Sequence, residues 1–253
     1  PASNSKNKIL ELTKAGADVF RINMSHASHD LMRKTIKSIR EVEEKLNFPI
    51  AIMVDLQGPK HRLGVFENGE VDVSPGDQIT LDSDPAPGNA SRIHLPHPEI
   101  LEAMPVGHRL LVNDGKVQLK VVDTGDGWAK TEVLSGTWLA DKKGVNLPDS
   151  ELTSGVLTDK DRSDLDAALK EDIDWIALSF IQRPDDLAEP RKLCRGKVGL
   201  LAKIEKPQAV ERLDEIIELA DAIMVARGDL GVEMPLQMVP SIQKKMIRKC
   251  RKA

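Results

Sequence analysis

Two stretches of this 253-residue chain concentrate residues that could do chemistry. They are Leu200-Leu201-Ala202-Lys203-Ile204-Glu205-Lys206-Pro207 and Ala222-Ile223-Met224-Val225-Ala226-Arg227-Gly228-Asp229-Leu230-Gly231. Each reads as an apolar strand ending in charge, with an amphipathic helical pattern, Ala209 to Leu219, between them. Side chains two apart on a strand share a face, so Lys203 and Glu205 point the same way. Asp229 leaves the end of the next strand beside Arg227 and Gly228. One ammonium and two carboxylates at one rim suit a divalent cation beside an anionic, phosphate-bearing ligand. A structural Lys–Glu pair and a plain turn at Arg227-Gly228-Asp229 read the same residues without a ligand. Lys206 and Pro207 read as loop residues, and Glu233 as a solvated or supporting carboxylate.

Earlier in the chain, Arg21, Asn23 and Ser25 fall on one strand face by the same period of two. They offer donors to phosphate oxygens and oxygen ligands to a cation, or else form a solvated rim. In Asp55-Leu56-Gln57-Gly58-Pro59-Lys60-His61-Arg62 a strand ends in a carboxylate and turns at Gly-Pro, with Lys60 and Arg62 just past the rim. A domain hinge with solvated charges is the other reading, and the two are compatible. The i, i+3 spacing of His26 and His29 is a weak metal signal, so surface roles suit them better than metal ligation. Cys194 and Cys250 fit no metal-ligand spacing and have no partner histidine nearby in sequence.

The elements that must position these residues follow a βαβ rhythm. A helix from Asn4 to Leu12 stops at Gly16 and leads to a strand over Ala17–Asn23. A helix from about Asp30 to Leu46 leads to a strand over Pro49–Asp55, whose near-continuous apolar run suits a parallel strand covered on both faces. From about Lys60 to Ser150 helical periods vanish. Short alternating runs such as Gln78–Leu81 and Val117–Val122 lie between turn signals, among them Asn113-Asp114-Gly115. That block reads as a small all-β domain inserted between βα units, because roughly ninety structureless residues would be far outside loop statistics. The rhythm then returns: a capping box at Thr158 and Asp161, strands over Asp174–Phe180, Val198–Ile204 and Ala222–Val225, and a last helix from Met238 to Lys252. The expected division is residues 1–59, first barrel part; 60–150, all-β lid; and 151–253, second barrel part.

Charged residues at the strand ends suit a (β/α)₈ TIM barrel, whose chemistry sits there. An open doubly wound sheet is the rival, but no glycine-rich turn follows a first strand. About 160 residues remain outside the β block, against about 250 for a whole barrel, so the barrel is expected to be incomplete in this chain. A net charge of −4 argues against nucleic acid and anionic membrane surfaces as partners. Two thiols and the absence of a long apolar run point to a reduced, cytoplasmic setting.

The combination of Arg21-Ile22-Asn23-Met24-Ser25-His26, Asp55-Leu56-Gln57-Gly58-Pro59, Lys143-Gly144-Val145-Asn146-Leu147-Pro148, Ala202-Lys203-Ile204-Glu205 and Ile223 to Gly231 resembles pyruvate kinases, in order and with the β block in the same place. The resemblance implies phosphoryl transfer from phosphoenolpyruvate to ADP, giving pyruvate and ATP. It implies Mg²⁺ or Mn²⁺ on Glu205 and Asp229, with Lys203, Arg21 and Arg62 on the transferring phosphoryl group. Backbone from Ala226 through Arg227 and Gly228 to Asp229 would receive the substrate carboxylate. His26 and Lys143 match nucleotide contacts, and Asn23, Ser25 and Asp55 match a monovalent-cation site. Many members read Asp-Thr-Lys-Gly-Pro-Glu where this chain has Leu56, Gln57 and Lys60. The fixed ammonium of Lys60 is therefore expected to replace K⁺. The family's first barrel strand, last two strands and C-terminal regulatory domain have no counterpart in the sequence, which suggests a fragment of a homo-oligomeric, tetrameric enzyme. A metal-dependent lyase or aldolase of similar barrel type, and an inactive binding fragment, are the competing readings.

Overall fold

The computed structural model describes residues 3–253. The Ser5 hydroxyl accepts the Lys8 amide and opens α1 (Lys6–Lys14), and the chain reverses at Gly16, where φ is +100°. β1 (Val19–Asn23) and β2 (Ala51–Asp55) flank α2 (His29–Leu46). Met32, Ile36, Ile39 and Val42 recur every three or four residues of α2, and that stripe is buried against the sheet. Asn47 ends the helix in the left-handed conformation, which asparagine tolerates well.

The middle of the chain contributes β3 (Glu70–Asp72), β4 (Gln78–Asp82), β5 (Arg92–His94), α3 (Pro98–Glu102), β6 (Arg109–Val112), β7 (Val117–Gly125), β8 (Trp128–Ser135), β9 (Trp138–Ala140) and β10 (Val145–Asn146). Six of these strands form one sheet in the order β10-β6-β7-β8-β4-β5, and β3 pairs with β9 as a separate ribbon. The block is not wholly β: the one-turn helix α3 starts on Pro98 and buries Ile100 and Leu101. Its five residues are too few for a helical period to show in the sequence.

The last part runs α4 (Asp159–Ala168), β11 (Trp175–Leu178), α5 (Ala188–Cys194), β12 (Gly199–Ile204), α6 (Pro207–Glu211), α7 (Leu213–Leu219), β13 (Ala222–Val225), α8 (Arg227–Glu233) and α9 (Val239–Cys250). β1, β2, β11, β12 and β13 form an all-parallel sheet in chain order. An open doubly wound sheet needs a reversal of strand order, and this sheet has none. Two separate apolar clusters result. One lies around the parallel sheet and its helices; the other lies inside the β block, from Leu63 to Leu152.

Several local expectations need correcting. The single helix expected over 209–219 is two, broken at Arg212, whose guanidinium makes paired hydrogen bonds of 3.0 Å to Glu151. The strand expected to reach Phe180 ends at Leu178, because Phe180 turns to a φ of 59°. Ser25 lies past the end of β1, where its amide donates to Asn23 Oδ1 at 3.0 Å, so it is not on the Arg21–Asn23 strand face.

Asp161 ties the parallel sheet to the start of the β block. Its Oδ2 accepts from the Thr158 amide and hydroxyl at 3.0 and 2.5 Å, and its Oδ1 accepts the Gly58 amide at 3.1 Å. Gly58 has φ +70°, and a Cβ there would sit 3.0 Å from Ser179 Cβ and from the Phe180 ring. Only glycine fits that bend without moving the strand end beside it. Replacing Asp161 with Ala removes a cap and orphans a buried amide. It should lower stability by about 1–3 kcal/mol in urea unfolding. A loss under about 0.5 kcal/mol would mean the tie is not holding this junction.

Candidate functional site

At the carboxyl ends of the parallel strands, Lys203 is the buried hub. Its side chain is only 10% exposed, and its Nζ donates to Ser179 Oγ at 2.7 Å. The same Nζ lies 2.9 Å from Glu205 Oε1 and 3.3 Å from Asp55 Oδ1. A buried ammonium is tolerable only when paired, and here two carboxylates and a hydroxyl surround it. Asp55 in turn accepts from Arg21 Nε at 2.6 Å, with Arg21 Nη2 2.5 Å away, so two cations flank one fully buried carboxylate.

The Glu205 carboxylate is itself buried. Oε2 accepts the Phe180 amide at 2.7 Å, which accounts for the left-handed turn at that residue. Oε1 is close to Lys203 but not aligned for a hydrogen bond, and it has no other partner. Burial, the largest influence, raises the Glu205 pKa; Lys203 and the Phe180 amide oppose that, and the Asp229 charge adds to it. A buried carboxylate oxygen without a hydrogen-bond donor, facing a second acid, is a fit for a hard divalent cation with oxygen ligands. Glu205 and Asp229 could hold Mg²⁺ or Mn²⁺.

Arg21, Asn23, Ser25, His26, Asp55, Lys60, Arg62, Lys203, Glu205 and Asp229 all line one cleft of about 190 Å³, together with Ser179. The strand-end rule therefore gathers nearly every residue singled out in the sequence. Asp55 does not stand free as a cation ligand, because Arg21 and Lys203 already flank it. Arg62 turns its Nη1 to the Lys142 carbonyl at 2.9 Å. Lys143 does not line the cleft; its ammonium sits 5.3 Å from the centre of the Trp138 ring, within cation–π range. Arg227, Gly228 and Asp229 are exposed in the first turn of α8 rather than in an open turn, with Ala226 at its N-cap.

Lys206 does lie in the connection after β12, but buried, and Pro207 already opens α6. The Lys206 Nζ donates to Glu233 Oε1 at 2.8 Å and to the Leu147 carbonyl at 3.1 Å. Glu233 is not solvated, because it accepts Lys206 and also Asn146 Nδ2 at 2.9 Å. These four polar groups join the β block to the parallel sheet. Sequence reading also missed Ser179, whose hydroxyl links Lys203 to the Leu56 carbonyl. Its position one residue past a strand end was the signal available.

Parallel strands in chain order, with cations and carboxylates at their carboxyl ends and a β block between two βα units, define a barrel-class α/β protein with a charged cleft at its strand ends. The chain belongs to the pyruvate kinase family, whose "Pyruvate kinase, barrel domain" model matches residues 1–253. It is 51% identical over its whole length to a pyruvate kinase of Methylorubrum extorquens, covering 53% of that protein. It is 38% identical to the Geobacillus stearothermophilus pyruvate kinase over 99% of the chain, covering 44% of that relative. A crystal structure of a Cryptosporidium parvum pyruvate kinase superposes with a TM-score of 0.94 at 32% identity, covering 99% of this chain and 53% of that one. The chain thus spans about half the length of the relatives it matches.

The Glu205→Gln change keeps the shape and removes the charge that a cation needs. Mn²⁺ affinity, followed by the free-ion electron paramagnetic resonance signal, should fall at least about tenfold. In the unchanged protein a proton competes for the raised-pKa carboxylate, so affinity should decline as pH drops, starting above the ordinary glutamate range. Equal affinity in both proteins would place the ion elsewhere.

Proposed function

We propose that this chain carries the site of a pyruvate kinase that moves a phosphoryl group from phosphoenolpyruvate to ADP. The enol ester P–O bond breaks, a new P–O bond forms to the terminal oxygen of ADP, and the released enolate takes up a proton to give pyruvate. The observation that carries the reading is Lys203, an almost buried ammonium held by Ser179, Asp55 and Glu205 beside the cleft. Charge on a transferring phosphoryl group is spread over its oxygens, so positioning and electrostatic stabilisation make up most of the catalysis.

On this reading Lys203 faces the phosphoryl group, while Arg21 and Arg62 neutralise its oxygens. Arg21 is aimed by Asp55, and its half-exposed side chain leaves further donors for substrate. Glu205 and Asp229 would hold Mg²⁺ or Mn²⁺, which would supply positive charge to offset that of an anionic substrate. The backbone of Ala226, Arg227, Gly228 and Asp229 receives the substrate carboxylate, because amides at the opening turn of α8 have no intrahelical acceptor. His26 and Lys143 meet the nucleotide. The β block acts as a lid inserted in a barrel of which the five parallel strands are part, and it keeps water from the phosphoryl group. A lyase or aldolase would need no lid and no phosphate-directed Lys203, and the family match does not favour it. Cytoplasmic glycolysis and a homotetrameric assembly complete the proposal. Among the described residues no helix is long and apolar enough to cross a membrane.

Lys60 lines the same cleft as Asn23, Ser25 and Asp55, the residues that match the family's monovalent-cation site, and Asp55 is already flanked there by Arg21 and Lys203. An ammonium fixed on the chain would supply the positive charge that K⁺ supplies elsewhere. The full-length protein should release pyruvate from phosphoenolpyruvate only when ADP and Mg²⁺ are present, in a lactate dehydrogenase-coupled assay. Turnover should survive replacement of K⁺ by tetramethylammonium at constant ionic strength. Absence of ADP-dependent turnover would sink the whole reading, whereas collapse in tetramethylammonium alone would sink only the role of Lys60.

A further inference from the structure

The β block holds one cluster of chemically able side chains that the proposed reaction does not use: His61, His97 and Glu99. Glu99 Oε1 is 3.4 Å from His97 Nδ1 and 3.6 Å from His61 Nε2, and the two imidazoles meet edge to face at 4.8 Å between ring centres. Two histidines and a carboxylate at those separations match the edges of a tetrahedral metal site. A hydrogen bond argues against that use. His97 Nε2 accepts the Arg62 main-chain amide at 3.1 Å. An amide can only donate, so Nε2 carries a lone pair and the proton of the neutral ring is on Nδ1, directed at Glu99. With both nitrogens of His97 committed, only His61 and Glu99 remain as ligands.

The bonding of Arg62 shows why that acceptor is needed. Arg62 bridges antiparallel to Gly144. The bonds that secure the bridge flank it, from the Leu63 amide to the Lys143 carbonyl at 2.9 Å and from the Val145 amide to the His61 carbonyl at 3.0 Å. The Arg62 amide therefore points away from the paired segment, and His97 is the group that takes it. We propose that His97, oriented by Glu99, is a positioning residue for Arg62: it fixes the main chain from which the guanidinium reaches the cleft. This rests on the reading of Arg62 as a phosphoryl-group ligand.

The charges around His97 decide how the device responds to pH. Glu99 faces it from the start of α3, His94 from the end of β5, and His61 and Arg62 from the opening segment of the β block; Lys206 acts on His61 from the parallel-sheet side. Burial, the largest influence, pushes the His97 pKa below the ordinary 6.5, and Glu99 partly offsets it. His61 is pushed down to about 4, mainly by burial, with His97 and Lys206 adding to the effect. Both rings are therefore neutral near pH 7, and the acceptor at Nε2 is intact. Protonating His97 puts an N–H against an N–H, so the hold on Arg62 is lost on the acid side, below the ordinary histidine range.

The test uses the full-length protein. His97→Leu removes the acceptor, while His97→Gln can return one through its amide oxygen. His97→Leu should raise KM for phosphoenolpyruvate up to about tenfold with a smaller change in kcat, the upper end of what one lost hydrogen bond is worth, and His97→Gln should recover most of it. Glu99→Gln should move the acid limb of kcat/KM to lower pH, because the carboxylate no longer favours the imidazolium. Long-range ¹H–¹⁵N spectra should show His97 protonated at Nδ1 and bare at Nε2. A KM unchanged in His97→Leu, or a proton on Nε2, overturns the proposal. So does stoichiometric Zn²⁺ binding that shifts the His97 nitrogens, since it would make the trio a metal site. Wild-type protein without ADP-dependent turnover would instead remove the functional reading beneath it, while the tautomer still reports on the hydrogen bond itself.

Discussion

An ammonium with almost no access to water is the constraint around which the rest of the site is arranged. Lys203 cannot be left unpaired in that position, so Glu205, Asp55 and Ser179 must arrive with it, each from a different strand end. Asp55, caught between Lys203 and Arg21, then fixes where the arginine points. Glu205, held by the Phe180 amide on one oxygen, is left with a buried second oxygen without a hydrogen-bond donor. Removing any one of the four charged groups unbalances the charge of the cluster, and removing Ser179 takes a hydrogen-bond partner from the ammonium, so the cluster behaves as a unit.

The same dependence extends to the junction with the β block. Strand β2 ends at Asp55, and within three residues the chain must bend sharply past Ser179 and Phe180, the neighbours of Lys203 and Glu205. Gly58 provides the room and Asp161 holds the bend. On the return side, Lys206 follows directly after Glu205 and takes both Glu233 and the Leu147 carbonyl. Each connection of the β block thus has one partner, Gly58 or Lys206, within three positions of the charged cluster and another brought in from far along the chain.

Legibility in the sequence followed the reach of the physical signal. Period-two spacing placed Lys203 beside Glu205, and strand ends gathered Arg21, Asp55 and Asp229, because these depend only on local geometry and parallel topology. The capping box at Thr158 and Asp161 was readable for the same reason. The second partner of Asp161, the Gly58 amide about a hundred residues earlier, carries no local signature. The burial of Lys206 was not legible because a charged residue after a strand is usually solvated, and of the two readings of Glu233 only packing against the β block selects the supporting one. The break at Arg212 and the left-handed Phe180 likewise answer to distant partners, Glu151 and Glu205.

The antiparallel bridge between Arg62 and Gly144 brings the two ends of the β block side by side. Pairing β2 with β11 formally closes a loop of roughly 120 residues, yet once that bridge exists only about a third of those residues remain as flexible chain. On a logarithmic loop-entropy scale the difference is about 1 kcal/mol, so the parallel sheet can carry a whole second core in one of its connections at a cost smaller than one good buried side chain contributes. The insertion is entropically near-silent to the sheet. Substitutions inside the β block can thus accumulate without altering how β2 and β11 find each other, provided the two ends of the block still meet.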